Sequence, residues 1–269
     1  YEIIVEGGES RLMALFKGQN LEKIGPVRSS RHYFLDYALE NDAIYVHYGW
    51  SPQAQYDISN LGVNNINGIS ESESSFWRVK DKRAPHNVAT STAKILSIAE
   101  RKGYKTTSTK ESVLKYVTDE VELTDGQNAE KITIPYSYSN DVEYTYDATT
   151  KRYQRYSKGV KETDWSTGEN ITTKNIIITF AKNSVLNDGE NKDRQTLSNI
   201  GTLNGYYITN GKAIKITCEK TSRSAQTMYK DLDGNEIKVN DGNTYVQICP
   251  INAKVTIEGA EETVTEDVD

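Results

Sequence analysis

The chain has 269 residues, 36% hydrophobic and 26% charged, with a mean hydropathy of -0.67. That length favours two domains of about 130 residues each over one minimal core, and 18 Tyr, 3 Trp and 4 Phe supply buriable surface that a disordered chain lacks. A formal charge of -6, from 32 Lys+Arg against 38 Asp+Glu, argues against a nucleic-acid binder with a broad basic face but leaves room for a local basic pocket. The longest apolar run, Leu12 to Phe16, falls far short of the ~20 residues of a membrane span.

In chain order, Tyr1 to Val5 reads as a strand, Glu6-Gly7-Gly8 as a turn and Arg11 to Phe16 as a second strand with helix competing. Gly25-Pro26 breaks the chain, and Ser29 or Ser30 is placed to cap a helix in which Tyr33, Phe34, Tyr37 and Ala38 share a face to about Leu39. Ala43 to Tyr48 is a compact strand. Ser51-Pro52 has the form of an N-cap followed by Pro at N1, opening a helix to about Ser59. Asn64 to Ile69 is a short strand with an Asn67-Gly68 turn, and Ser70 to Ser75 a polar loop. Thr90 to Lys102 reads as a helix with Ala93, Leu96 and Ala99 inward, and Lys110 to Thr118 as another.

From about Val121 the pattern becomes strand and turn. Lys131 to Pro135, Val142 to Tyr146, Arg152 to Tyr156 and Asn175 to Phe180 carry apolar or aromatic residues at period two or in short runs. Asp147 to Lys151 reads as a hairpin turn, and Asn204-Gly205, Asn210-Gly211, Asp233-Gly234 and Asp241-Gly242 punctuate the strands that follow. The expected fold class is α+β: an N-terminal mixed α/β domain over 1–122, a mostly antiparallel β-rich domain over 123–258 and an acidic tail over 259–269. Cys218 and Cys249 each close a short strand, on opposite faces if the neighbouring Ile sets share one core, which disfavours a disulfide.

No P-loop, GxGxxG or G-x-S-x-G string is present, and the three histidines, His32, His47 and His86, lack ligand spacing, so no metal, cofactor or catalytic residue is assigned. The acidic stretch Asn187 to Asp193 fails the EF-hand pattern and reads as a loop. The strongest constellation is Arg28, Ser29 and Arg31 at the expected helix start, where backbone N–H groups and guanidiniums both favour an anion. The alternative is that both arginines pair with Asp36, Glu40 or other local acids. His47, Trp50 and Ser51 stand where a strand runs into a helix, and Trp77, Arg83, His86 and Asn87 offer stacking faces and polar groups at a second junction. Together these ten residues outline a binding cleft.

The strings Ile24-Gly25-Pro26-Val27-Arg28-Ser29-Ser30-Arg31, Gly49-Trp50-Ser51-Pro52 and Arg83-Ala84-Pro85-His86-Asn87, with Tyr144-Thr145-Tyr146, Asp233-Gly234 and Ile248-Cys249-Pro250 further on, resemble the YerB-like family of bacterial lipoproteins over nearly the whole chain. The resemblance implies two domains and an extracytoplasmic protein of Gram-positive type, tethered to the membrane only through a lipidated cysteine upstream of Tyr1, on a chain trimmed at its start. It implies no known biochemical activity. Cys218 stands where the family often has Trp, so nothing is carried over to that surface.

The leading expectation is therefore a non-enzymatic binding or scaffold protein whose N-terminal cleft holds an anionic envelope component or a protein partner, not a nucleic acid. An envelope-polymer hydrolase with His47 or His86 as general base is the alternative. A third reading makes Arg28, Arg31 and His86 an internal hydrogen-bond network.

Overall fold

The computed structural model describes residues 1–259, so the expected acidic tail beyond Gly259 lies outside the described residues. The fold is α+β, with few helices and many strands. Its compact units are not the two continuous segments expected. A sheet unit takes Tyr1–Met13, Val113–Ser222 and the chain from Gln226 on, and a mixed unit takes Ala14–Ser112 and Arg223–Ala225. The reason lies in the first strands. β1 (Glu2–Ile4) pairs with β2 (Ser10–Leu12), the only regular part of the strand expected to Phe16, and also runs parallel to a C-terminal strand in the register Glu2↔Gln247, Ile3↔Ile248. All three β1 residues are buried, so their side chains require the sheet built by the other end of the chain.

The mixed unit contains α1 (Phe34–Glu40), β3 (Tyr45–His47), α2 (Pro52–Asn60), β4 (Asn65–Asn67), β5 (Trp77–Arg78), β6 (Val88–Ala89) and α3 (Thr92–Arg101). β3 and β4 are parallel, β5 and β6 antiparallel. Ile66, Phe76, Val88, Ile98 and Ala99 form its core. Two sequence expectations are corrected here. α1 begins at Phe34 with no side-chain cap, because Ser30 pairs instead with Trp50 as an isolated β-bridge, while six of the seven α1 residues are buried. α3 is capped by Ser91 and buries Ile98 and Ala99 with Ile95 beside them, leaving Leu96 46% exposed, so the inward face is rotated from the one expected.

The sheet unit continues with β7 (Tyr116–Val117), β8 (Gln127–Asn128), β9 (Lys131–Ser137), β10 (Asn140–Asp147), β11 (Arg152–Ser157), β12 (Val160–Lys161), β13 (Thr172–Thr173), β14 (Asn175–Val185), β15 (Gln195–Ser198), β16 (Gly201–Thr209), β17 (Lys212–Lys220), β18 (Met228–Asp231), β19 (Val239–Asn240), β20 (Thr244–Pro250) and β21 (Thr256–Glu258). The expected helix over Lys110 to Thr118 is absent. Val239 N–H bonds to Lys115 O and draws Tyr116–Val117 into a parallel pair with β19. Asn210-Gly211 turns β16 into β17, whereas Asn204-Gly205 lies inside β16. A Cβ on Gly205 would stand 2.1 Å from Ile178 O, so that glycine serves close strand approach rather than a turn.

One sheet runs β18-β17-β16-β14-β20-β1-β2 and the other β12-β11-β10-β9-β21. Alternate residues of β9 and β10 meet Ile176, Ile178, Phe180 and Ile208 of the larger sheet in one core. A charged network crosses that core. Arg155 Nη2 donates to Glu2 Oε2 at 2.7 Å, Gln247 Nε2 to the same oxygen at 3.1 Å and Ser10 Oγ to Glu2 Oε1 at 2.7 Å. Tyr136 OH donates to Glu2 O and lies 2.9 Å from Gln247 Oε1. Cys249 packs into the same core, and Cys218 lies 3.2 Å from Thr179 Oγ1. Both thiols are free, and burial pushes that of Cys218 up to about 12.

Candidate functional site

The segment Arg28–Ser30 runs beside Tyr48–Ser51. Tyr48 N–H bonds to Arg28 O at 2.9 Å, Ser30 N–H to Gly49 O at 2.9 Å and Ser51 N–H to Ser30 O at 3.2 Å. Gly49 takes the left-handed conformation (φ +82°), and a Cβ there would stand 3.1 Å from Ile69 Cδ1, so the crossing requires glycine. Ser51 then caps α2 through the Ala54 N–H at 3.3 Å, with Pro52 at the first helical position, as the sequence predicts.

β3 and β4 place His47 opposite Asn67. His47 is 1% exposed, and its two ring nitrogens are occupied by Gly49 O (2.8 Å) and Asn65 Oδ1 (3.1 Å). Burial pushes the His47 imidazole below its ordinary value, against the opposing pull of those two contacts. Asn67 Oδ1 accepts from Gly49 N–H at 2.9 Å and from Ile69 N–H at 3.2 Å. Two backbone donors on one atom identify it as the amide oxygen, which leaves the Nδ2 amino group of a residue only 8% exposed with no protein acceptor among the described residues.

Asn67 lines an open groove of about 580 Å³ together with Trp50, Ile58, Val63, Asn65 and Lys102, among others. The Trp50 ring lies 5.5 Å from that of His47. The Asn65 amide is committed to His47 and to Val63 O. Lys102 Nζ stands 5.9 Å from the centre of the Tyr104 ring, with Tyr104 OH held by Asn65 O.

Of the ten expected site residues, only Trp50 lines this groove. Arg28 and Ser29 are half-buried and outside its lining, and Arg31 is 7% exposed with Nη1 on Ser30 O at 2.7 Å. The anion cradle expected at a helix start is not formed: α1 begins three residues beyond Arg31 and carries Asp36 in its first turn. His47 packs against the Trp50 ring, and Ser51 caps α2. The second junction forms a separate hairpin, in which Asn87 Oδ1 accepts from Arg78 Nη1 at 2.7 Å and its Nδ2 donates to Val79 O, while Trp77 is half-buried and Arg83 and His86 stand on the exposed loop.

Three residues escaped sequence reasoning. Asn67 is legible as a turn residue but not as a donor, because its role depends on Gly49, eighteen residues away. Lys102 ends α3 like any helix-terminal lysine. Arg223 donates to Asp36 Oδ1 and Asp57 Oδ2, both at 2.6 Å, and to His32 O, joining α1 to α2, and nothing in its Ser-Arg-Ser context marks it. His32 is packed in that corner, where burial lowers it to about 4, Asp57 opposes the shift and Arg223 and Arg31 add to it. In the loop at 187–193, Asp188 and Glu190 are both engaged by Arg194.

Residues 1–105 match the model described as "Protein of unknown function (DUF3048) N-terminal domain", and residues 132–246 match the corresponding C-terminal domain. The chain is 31% identical over 257 residues to the Bacillus subtilis (strain 168) protein named "Putative lipoprotein YerB", covering 93% of this chain and 73% of that one. The crystal structure of YerB from Bacillus subtilis superposes with a TM-score of 0.83 at 30% identity, covering 94% of this chain and 84% of the other. With both of its halves matched in order and the two-unit fold shared, the chain belongs to the DUF3048 family to which the expected YerB resemblance pointed.

Proposed function

We propose that the protein is an extracytoplasmic, lipid-anchored binding protein that holds an anionic component of the cell envelope, or an acidic partner protein, in the groove of the mixed unit. The observation that carries this reading is the pair of amide donors on buried Asn67 at the groove, beside the ammonium of Lys102. A ligand rich in acceptor oxygens takes up these donors in place of water. The lipid anchor is supported by the name of the Bacillus subtilis relative. A hydrolase reading finds no support in His47, whose two ring nitrogens both lie within hydrogen-bond distance of protein oxygens.

Two measurements test the proposal. Metabolic labelling of the full-length gene product with a palmitate analogue should give a labelled membrane-associated protein; an unlabelled soluble product refutes the anchor. Calorimetric titration with poly(glycerol phosphate) and with an oligomeric uronic acid should show salt-dependent binding of at least one, weakened in Lys102→Glu. Heat signals absent for both, or indifferent to Lys102→Glu, refute the anion seat.

A further inference from the structure

We infer that the groove is built for an acidic glycan, with one face of a sugar ring on Trp50 and the ring's oxygens on Asn67 Nδ2 and Lys102 Nζ. The inference rests on the proposed binding role of the groove and narrows the ligand to one chemical class. Among the described residues, Trp50 is the one aromatic residue in a lining of amide, hydroxyl and aliphatic groups with the Lys102 ammonium. Its ring is backed by His47, which β3 and the two ring hydrogen bonds hold in place. A pyranose has one face of C–H bonds and an edge of oxygens, and so matches an aromatic plane flanked by donors.

Asn67 Nδ2 and Lys102 Nζ are donors, Gln55, Ser59 and Ser70 can donate or accept, and the Asn65 amide is spent on His47 and Val63. Sugar hydroxyls, which both donate and accept, match these amide and hydroxyl groups, and a carboxylate on the sugar supplies the charge that complements Lys102. The groove is open to solvent, with a volume of about 580 Å³. This is within the ~300–1,000 Å³ of small-molecule sites.

The test compares a hyaluronan tetrasaccharide, which has sugar rings and carboxylates, with poly(glycerol phosphate), which has charge and no ring. The expected result is binding of the tetrasaccharide with a change in tryptophan fluorescence, weakened by about tenfold in Trp50→Ala, the size of one lost stacking contact, and less in Trp50→Phe. Asn67→Asp is the companion variant: it keeps the acceptor for Gly49 and Ile69 N–H, so the fold persists, but it replaces the donors with negative charge and should abolish binding. Should poly(glycerol phosphate) bind as tightly and Trp50→Ala leave both affinities unchanged in a protein of unaltered melting temperature, the glycan assignment is overturned while the anion-binding groove survives. Should neither probe bind, both are overturned.

Discussion

The two units solve the same problem of burying polar groups by opposite means. The sheet unit places an ionised pair, Glu2 and Arg155, each side chain 2% exposed, at the centre of its core and surrounds it with Gln247, Tyr136, Tyr144 and Ser10. The mixed unit keeps its ion cluster at an edge, with Arg223 32% exposed over the buried carboxylates of Asp36 and Asp57. It also leaves one buried amide, on Asn67, partly unused. The interior network is itself incompletely satisfied, since buried Arg155 Nε has no hydrogen-bond partner among the described residues, but it is closed off from solvent, whereas Asn67 Nδ2 stands at a groove that a ligand can enter. The contrast between the units is one of access rather than of satisfaction.

The largest expected effect breaks the sheet unit. Arg155→Met leaves Glu2 charged and buried and should cost about 3–5 kcal/mol in denaturant unfolding, with the double change Glu2→Gln, Arg155→Met recovering most of it. No recovery in the double variant would mean that packing, rather than the charge pair, carries the loss. In the mixed unit Arg223→Ala strands Asp36 and Asp57 and should cost about 3 kcal/mol, near the low end because the guanidinium is partly solvated. If it costs less than the median surface pair, about 0.5 kcal/mol, the corner is not held by charge.

His32 gives the mixed unit a pH dependence of its own. Its folded value of about 4 lies below the unfolded 6.5, so the unfolded chain binds the proton first. That contribution is complete above pH 6.5 and is lost as pH falls from there through about 4. The shift sets a ceiling of roughly 3 kcal/mol, discounted to about 2 for partial exposure of the ring. His32→Gln should flatten the melting temperature across that window, and an unchanged profile would assign the dependence to other groups. Ser51→Ala, which removes the α2 cap, should cost about 1 kcal/mol. Leu96→Ala, on the exposed side of α3, should stay within about 0.5 kcal/mol, whereas the same change at the rotated-in Ile98 should cost about 2–4.

The α+β character and most strands of the sheet unit were legible because Ile132, Ile134 and Val142, Tyr144 alternate cleanly, and because Asn210-Gly211 has one dominant turn geometry. α2 was legible from Ser51-Pro52 alone. What failed were places where a distant partner outbids local signal. Ser30 looks like a cap until Gly49 offers a bridge, and Tyr116–Val117 looks helical until Val239 pairs with it. The site followed the same rule. Trp50 was found by its local strand-to-helix context, but the donor on Asn67 exists only because Gly49 and Ile69 take its oxygen. Arg28 and Arg31 mark an anion site only if a helix starts at Ser29 or Ser30, and α1 starts further along the chain.

The parallel pairing of Glu2 with Gln247 has a consequence for synthesis. β1 can form its hairpin with β2, but it must wait for β20, and until then Ile3 and Ile4 lack the larger sheet that buries them. Non-local pairings of this kind close late and slowly. A product cut short before β20 therefore leaves the β1–β2 hairpin without the sheet that buries it, an apolar edge open to a protease or chaperone.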